Sequence, residues 1–143
     1  MDPRFLLEDG IGIFTGNELI VKGALESGVS LITGYPGSPL AEVFDTLNSI
    51  GALLTEHGIV AQIANNEALA AARLNGAQME KIRAMAVMKS VGLHVAADAL
   101  ALGNMAGATA NAGALVVVGD DTWSEGTQVP ADSRFLSQHL YMP

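Results

Sequence analysis

A chain of 143 residues, half of them apolar and 15% charged, is long enough to close one domain around a substantial core. Its net charge is -8, and its basic residues (Arg4, Lys22, Arg73, Lys81, Arg83, Lys89 and Arg134) are dispersed, which argues against a nucleic-acid backbone as the main partner. It has no cysteine for a disulfide, a thiolate metal site or an iron-sulfur cluster, no run of membrane-spanning length, and an acidic start (Asp2, Glu8, Asp9) unlike a secretory signal, so a cytoplasmic location is expected.

Residues 1–14 read as an N-terminal arm and residues 15–143 as one domain. Thr15 or Asn17 is placed to cap a first helix whose face of Leu19, Ile20, Ala24 and Leu25 ends at Ser27-Gly28. Residues 29–33 are apolar and β-branched, of strand length, and run into Gly34-Tyr35-Pro36-Gly37-Ser38-Pro39. There two prolines fix φ and bias the residues before them toward extended geometry, while two glycines permit a sharp bend or a close ligand. Such a turn holds the Tyr35 ring and the Ser38 hydroxyl in defined directions. The plainer alternative has Ser38 capping the helix that begins near Leu40. That helix, residues 40–50, carries Val43, Phe44 and Leu47 at core spacing and is followed by a loose segment, 51–58.

A second strand, 59–64, ends in Asn65-Asn66-Glu67 and gives way to an alanine-rich helix, 68–79. The third strand, 83–88, is followed by Lys89-Ser90-Val91-Gly92-Leu93-His94 and a helix to about 107. The fourth, 114–118, empties into Gly119-Asp120-Asp121-Thr122; a polar loop through Pro130 precedes a short helix, 132–140. Strands alternating with helical crossovers imply an α/β fold, a mostly parallel sheet with helices on both faces. Parallel strands direct their carboxyl ends to one rim, where ligands of open sheets bind, and that rim collects the polar residues of all four strand ends.

Glu67 is the leading carboxylate. It follows a strand expected to be buried and opens an apolar helix, so its surroundings should be dry; desolvation would raise its pKa and a helix N-terminus lower it. The bland alternative is a first-turn acid complementing the helix dipole. Lys89 and His94 could bind an anion or shuttle protons, although a lone histidine in an apolar helical pattern more often packs. No metal-ligand spacing is present, and none is expected to hold a metal. Asp120 and Asp121 read as turn or helix caps rather than a phosphate or magnesium site, and the serine of Gly34-Tyr35-Pro36-Gly37-Ser38 is not flanked as in a hydrolase elbow.

From about Thr15 onward the order and spacing of Thr15-Gly16-Asn17-Glu18, residues 22–29, Gly34-Tyr35-Pro36-Gly37-Ser38-Pro39, Asn66-Glu67, residues 88–98, and Asp120-Asp121 through Asp132-Ser133-Arg134 resemble the thiamin-dependent 2-oxoacid:ferredoxin oxidoreductases, nearest the α subunits of the indolepyruvate branch. The match covers only the family's pyrimidine-binding domain, so the resemblance implies a thiamin diphosphate-binding (pyrimidine domain) fold. It implies an enzyme that oxidatively decarboxylates a 2-oxoacid, passes the acyl group to coenzyme A and sends electrons through iron-sulfur clusters to ferredoxin. In the family the glutamate matching Glu67 hydrogen-bonds the aminopyrimidine N1′ and promotes its imino tautomer. The turn matching Tyr35, Pro36, Gly37 and Ser38 faces substrate and cofactor, commonly with threonine where Ser38 stands. Asn66 precedes the glutamate, and Lys89, Gly92 and His94 fall in a cofactor-facing loop where this branch often has Asn for His94. The magnesium and diphosphate-binding domain and the cluster cysteines are lacking, so a partner domain or subunit would supply them in a homo- or hetero-oligomer. A non-catalytic interaction or scaffold domain that binds no thiamin is the alternative.

Overall fold

The computed structural model describes residues 2–123, 132–140 and 142. The first helix, α1 (Gly16–Glu26), begins in a capping box: the Glu18 amide donates to Thr15 Oγ1 at 3.2 Å, and Glu18 Oε2 accepts from the Thr15 amide at 2.7 Å. It ends with Gly28 at φ +70°, the Gly28 and Val29 amides donating to the Leu25 and Ala24 carbonyls. The same stop recurs after α3 (Gly51–Glu56), where Gly58 lies at φ +68° and the Gly58 and Ile59 amides reach the Thr55 and Leu54 carbonyls. Each stop launches the chain into a neighbouring strand, β1 (Leu31–Gly34) and β2 (Val60–Ile63).

Helix α2 (Ala41–Ser49) runs almost directly into α3 through Ile50. The segment expected to be loose is therefore helical over Gly51–Glu56. Leu53 and Leu54 are both buried there, so packing stabilises a short helix that propensity alone would not. The remaining elements are α4 (Glu67–Met79), β3 (Arg83–Lys89), α5 (Ser90–Ala106), β4 (Gly113–Gly119) and α6 (Arg134–His139).

All four strands are parallel, in the order β2-β1-β3-β4. Both faces of the central strands are covered. On one side Ile32, Met85 and Val87 meet Val21, Val43, Phe44, Leu47 and Leu53; on the other Ala84, Ala86 and Met88 meet Ala71, Leu74, Leu93, Ala96 and Leu100. The alternation along β3 is the period-two pattern of a strand buried on both sides. Small side chains let α4 and α5 approach closely. Asn75 Nδ2 donates to the Ala99 carbonyl at 2.7 Å, and a Cβ added to Gly103 would fall 2.1 Å from Asn75 Oδ1.

Strand β2 departs from expectation. The sequence reads it as buried, yet all four of its residues are exposed, because the strand order leaves it at the sheet edge while α4 crosses over toward β3. Ahead of α1, Pro3–Leu6 forms a 3-10 turn with Phe5 buried in the first core, edge-on to Phe14 at 5.7 Å. Arg4 lies over the Phe14 ring and pairs with Asp2 and Glu18.

Candidate functional site

The chain leaves β1 toward α2 on one face and β3 toward α5 on the other, yet β1 and β3 are hydrogen-bonded neighbours. This is a topological switch point, the place at which open α/β sheets bind ligands beyond the carboxyl ends of their strands. Both the turn of residues 35–40 and the segment beginning at Lys89 emerge there.

The turn is held from three sides. The Tyr35 amide donates to the Val87 carbonyl at 3.1 Å, and the Leu40 amide closes the turn on the Gly37 carbonyl at 2.9 Å. From α1, Asn17 Nδ2 donates to the Pro39 carbonyl and to Glu42 Oε2. From β4, Gly119 sits so close that an added Cβ would lie 2.9 Å from Pro39 Cδ and 2.8 Å from Leu40 Cγ. The Ser38-Pro39 peptide is cis. No side chain caps α2, so the plainer reading of Ser38 as its cap is replaced: Leu40 occupies the cap position and Ser38 is exposed on the turn with Tyr35 and Pro36.

Across the switch point, Asn66 caps α4 by accepting the Leu69 amide at 2.9 Å, and Glu67 is the first helical residue. The Ala64 amide ties this segment to the Gly34 carbonyl, at the end of β1. Gly92, buried in the first turn of α5, meets the carboxylate directly: a Cβ there would fall 2.3 Å from Glu67 Oε1. Among the described residues Glu67 has no hydrogen-bond or ion-pair partner on its carboxylate, and it is half-buried rather than dry. Its inner side rests against Gly92 while its outer side opens on the rim, and the exposed edge strand before it gives no cover.

Lys89 and His94 part company. Lys89 is buried, and its ammonium lies 3.2 Å from Asp121 Oδ2, each side chain only 8% exposed. His94 is exposed on α5. Asp120, expected as a cap, accepts from the Ser133 amide and hydroxyl just before α6. The polar loop of residues 124–131 lies outside the described residues.

Sequence reasoning passed over two residues, Asn17 as a clamp on Pro39 and Asp121 as the partner of Lys89. The second had a signal: a lysine at the end of a strand buried on both faces needs a carboxylate, and parallel pairing sets Lys89 against Gly119, two residues before Asp121.

The geometry defines an open, all-parallel α/β domain with an unpartnered carboxylate and a constrained turn on either side of its switch point. The chain is 34% identical over 131 residues to the indolepyruvate oxidoreductase subunit IorA of Pyrococcus abyssi, covering 92% of the chain and 19% of that subunit. It is 36% identical over 129 residues to IorA of Archaeoglobus fulgidus (90% and 20%) and 32% over 146 residues to IorA of Methanothermobacter marburgensis (100% and 23%). The chain thus spans about a fifth of the length of these curated relatives, and it is related to IorA subunits over a domain-sized portion. No family model and no solved structure matches it.

Proposed function

We propose that this domain supplies the pyrimidine side of a thiamin diphosphate site in a 2-oxoacid:ferredoxin oxidoreductase of the indolepyruvate type. The observation that carries the proposal is the Glu67 carboxylate, seated against the bare Cα of Gly92 and free of protein partners among the described residues. A half-buried carboxylate left open at a ligand-binding rim has an oxygen available for a ring nitrogen. The residues therefore fit the group: Glu67 would hold the pyrimidine nitrogen N1′, with Gly92 and Asn66 lining that side and Tyr35, Pro36, Gly37 and Ser38 facing it from the turn.

Bound thiamin diphosphate supplies a thiazolium carbon at which a 2-oxoacid can be decarboxylated. Glu67 would hold N1′ through a hydrogen bond and so favour one protonation state of the pyrimidine, and Ser38 would offer a hydroxyl to an incoming oxoacid. His94, exposed on α5, stands as a further contact from that side. Magnesium, diphosphate binding, iron-sulfur clusters, coenzyme A transfer and delivery of electrons to ferredoxin belong to partner domains or subunits in a cytoplasmic assembly. Among the described residues no group of three or more acids and histidines could hold a metal ion, and no helix is long and apolar enough to cross a membrane. Exposed Leu69 and Met79 on α4 and Val95 and Leu102 on α5 offer the surface for the diphosphate-binding partner.

The test is deuterium exchange at the thiazolium C2 of thiamin diphosphate in the assembled enzyme, wild type against Glu67→Gln. Exchange should fall by about 10²-fold or more, the scale of a lost acid-base contribution. Unchanged exchange sinks the assignment of Glu67, and failure of the wild-type assembly to bind thiamin diphosphate with magnesium by calorimetry favours a scaffold domain instead.

A further inference from the structure

The pair of Lys89 and Asp121 crosses beneath the turn that carries Ser38. A Cβ built on Gly37 would lie 3.0 Å from Lys89 Cβ and 3.4 Å from its Cδ, so the lysine stem is the floor on which the Gly37 backbone rests. The stem ends in an ammonium held at 3.2 Å by Asp121, which stands just beyond β4. Both side chains are more than nine-tenths buried. A buried lysine is costly, and the neighbouring positions on β3 are filled by Met85, Val87 and Met88. An apolar residue would serve packing alone. What the charged pair adds is direction, because a hydrogen-bonded ammonium fixes where the four-carbon stem lies, and thereby the height of the turn above the sheet.

We infer that Lys89 is a positioning residue: its buried pair with Asp121 sets the turn of residues 35–40, and through it the Ser38 hydroxyl, without touching the cofactor. On this reading Lys89 braces the turn instead of binding an anion or shuttling protons. The substrate-facing half of the inference rests on the proposed function, whereas the brace itself does not.

Two measurements separate them. The first is hydrogen-deuterium exchange on the full chain, followed at the Tyr35 and Leu40 amides, whose acceptors are the Val87 and Gly37 carbonyls. Lys89→Ala, which removes floor and anchor, should speed both amides by about tenfold or more relative to α4 amides. Lys89→Met, which keeps the floor, should have a smaller effect, and Lys89→Arg should stay near wild type. Where a Lys89 variant loses its fold, the double variant Lys89→Met/Asp121→Asn removes both charges and retains the volume. Unaltered protection at Tyr35 and Leu40 in a folded Lys89→Ala or double variant overturns the brace.

The second is kinetics of the assembled enzyme. Lys89→Met should raise KM for the 2-oxoacid about tenfold, with thiamin diphosphate affinity unchanged and Lys89→Arg restoring KM. Faster amide exchange with an unchanged KM keeps the brace but overturns the placement of Ser38 at the substrate. Loss of thiamin affinity in Lys89→Met overturns the positioning role in favour of direct cofactor contact.

Discussion

At Gly92 a hydrogen stands where any other residue would set a carbon 2.3 Å from Glu67 Oε1, so Gly92→Ala must drive the carboxylate from its seat. Alanine gains up to about 1 kcal/mol in helix propensity, which offsets only part of that crowding, so the chain should lose some stability but remain folded. Thiamin diphosphate affinity of the assembled enzyme should nevertheless fall at least tenfold, as read by calorimetry beside urea unfolding of the chain. The positions of Glu67 and of the turn at the strand ends were legible in the sequence because each follows an apolar run of strand length. The direction of Lys89 was not, since its partner lies 32 positions away and only strand register brings the two together. A different carboxylate gives a pH prediction. The Thr15 amide and Arg4 hold Glu18 below the usual glutamate value of 4.5. Its folded pKa is depressed, so its contribution to stability is complete above pH 4.5 and disappears as pH falls through the lower folded value. The Tm difference between wild type and Glu18→Gln should therefore be present at pH 7 and close in acid.

Helix starts and stops account for most of what could be foreseen among the elements. The capping box at Thr15 and the glycine stop at Gly28 are local chemistry, written within a few residues of where they act. Helix α3 escaped notice because two glycines bracket it and its stability comes from burying Leu53 and Leu54, which no local pattern announces. The exposure of β2 escaped for a related reason: its apolar sequence sets a strand, but strand order decides whether both faces are covered. Leu74, buried where α4 meets α5 and β3, tests the second core. Leu74→Ala should cost about 2–5 kcal/mol in urea unfolding, the range for a leucine cavity that relaxes incompletely.

Over the whole molecule, the same two-helix layer that buries Leu74 turns Leu69, Met79, Val95 and Leu102 outward. Leu102→Asp adds a charge at an exposed position near the end of α5, so the chain should lose about 1 kcal/mol through helix propensity and the helix dipole, while association with the proposed diphosphate-binding partner, followed by sedimentation, should weaken at least tenfold. The parallel sheet was legible from alternating elements, but the sharing of its rim between two separate cores was not. Leu40 and Phe44 anchor the Ser38 turn in one core; Ala71 and Leu93 anchor the helices of Glu67 and Gly92 in the other. The two halves of the candidate site therefore ride on opposite sides of a common floor. Enlarging Ala84 or Ala86 would lift only the layer bearing the acid, and the reach between hydroxyl and carboxylate becomes an adjustable gauge, reset by the girth of residues that never meet a ligand.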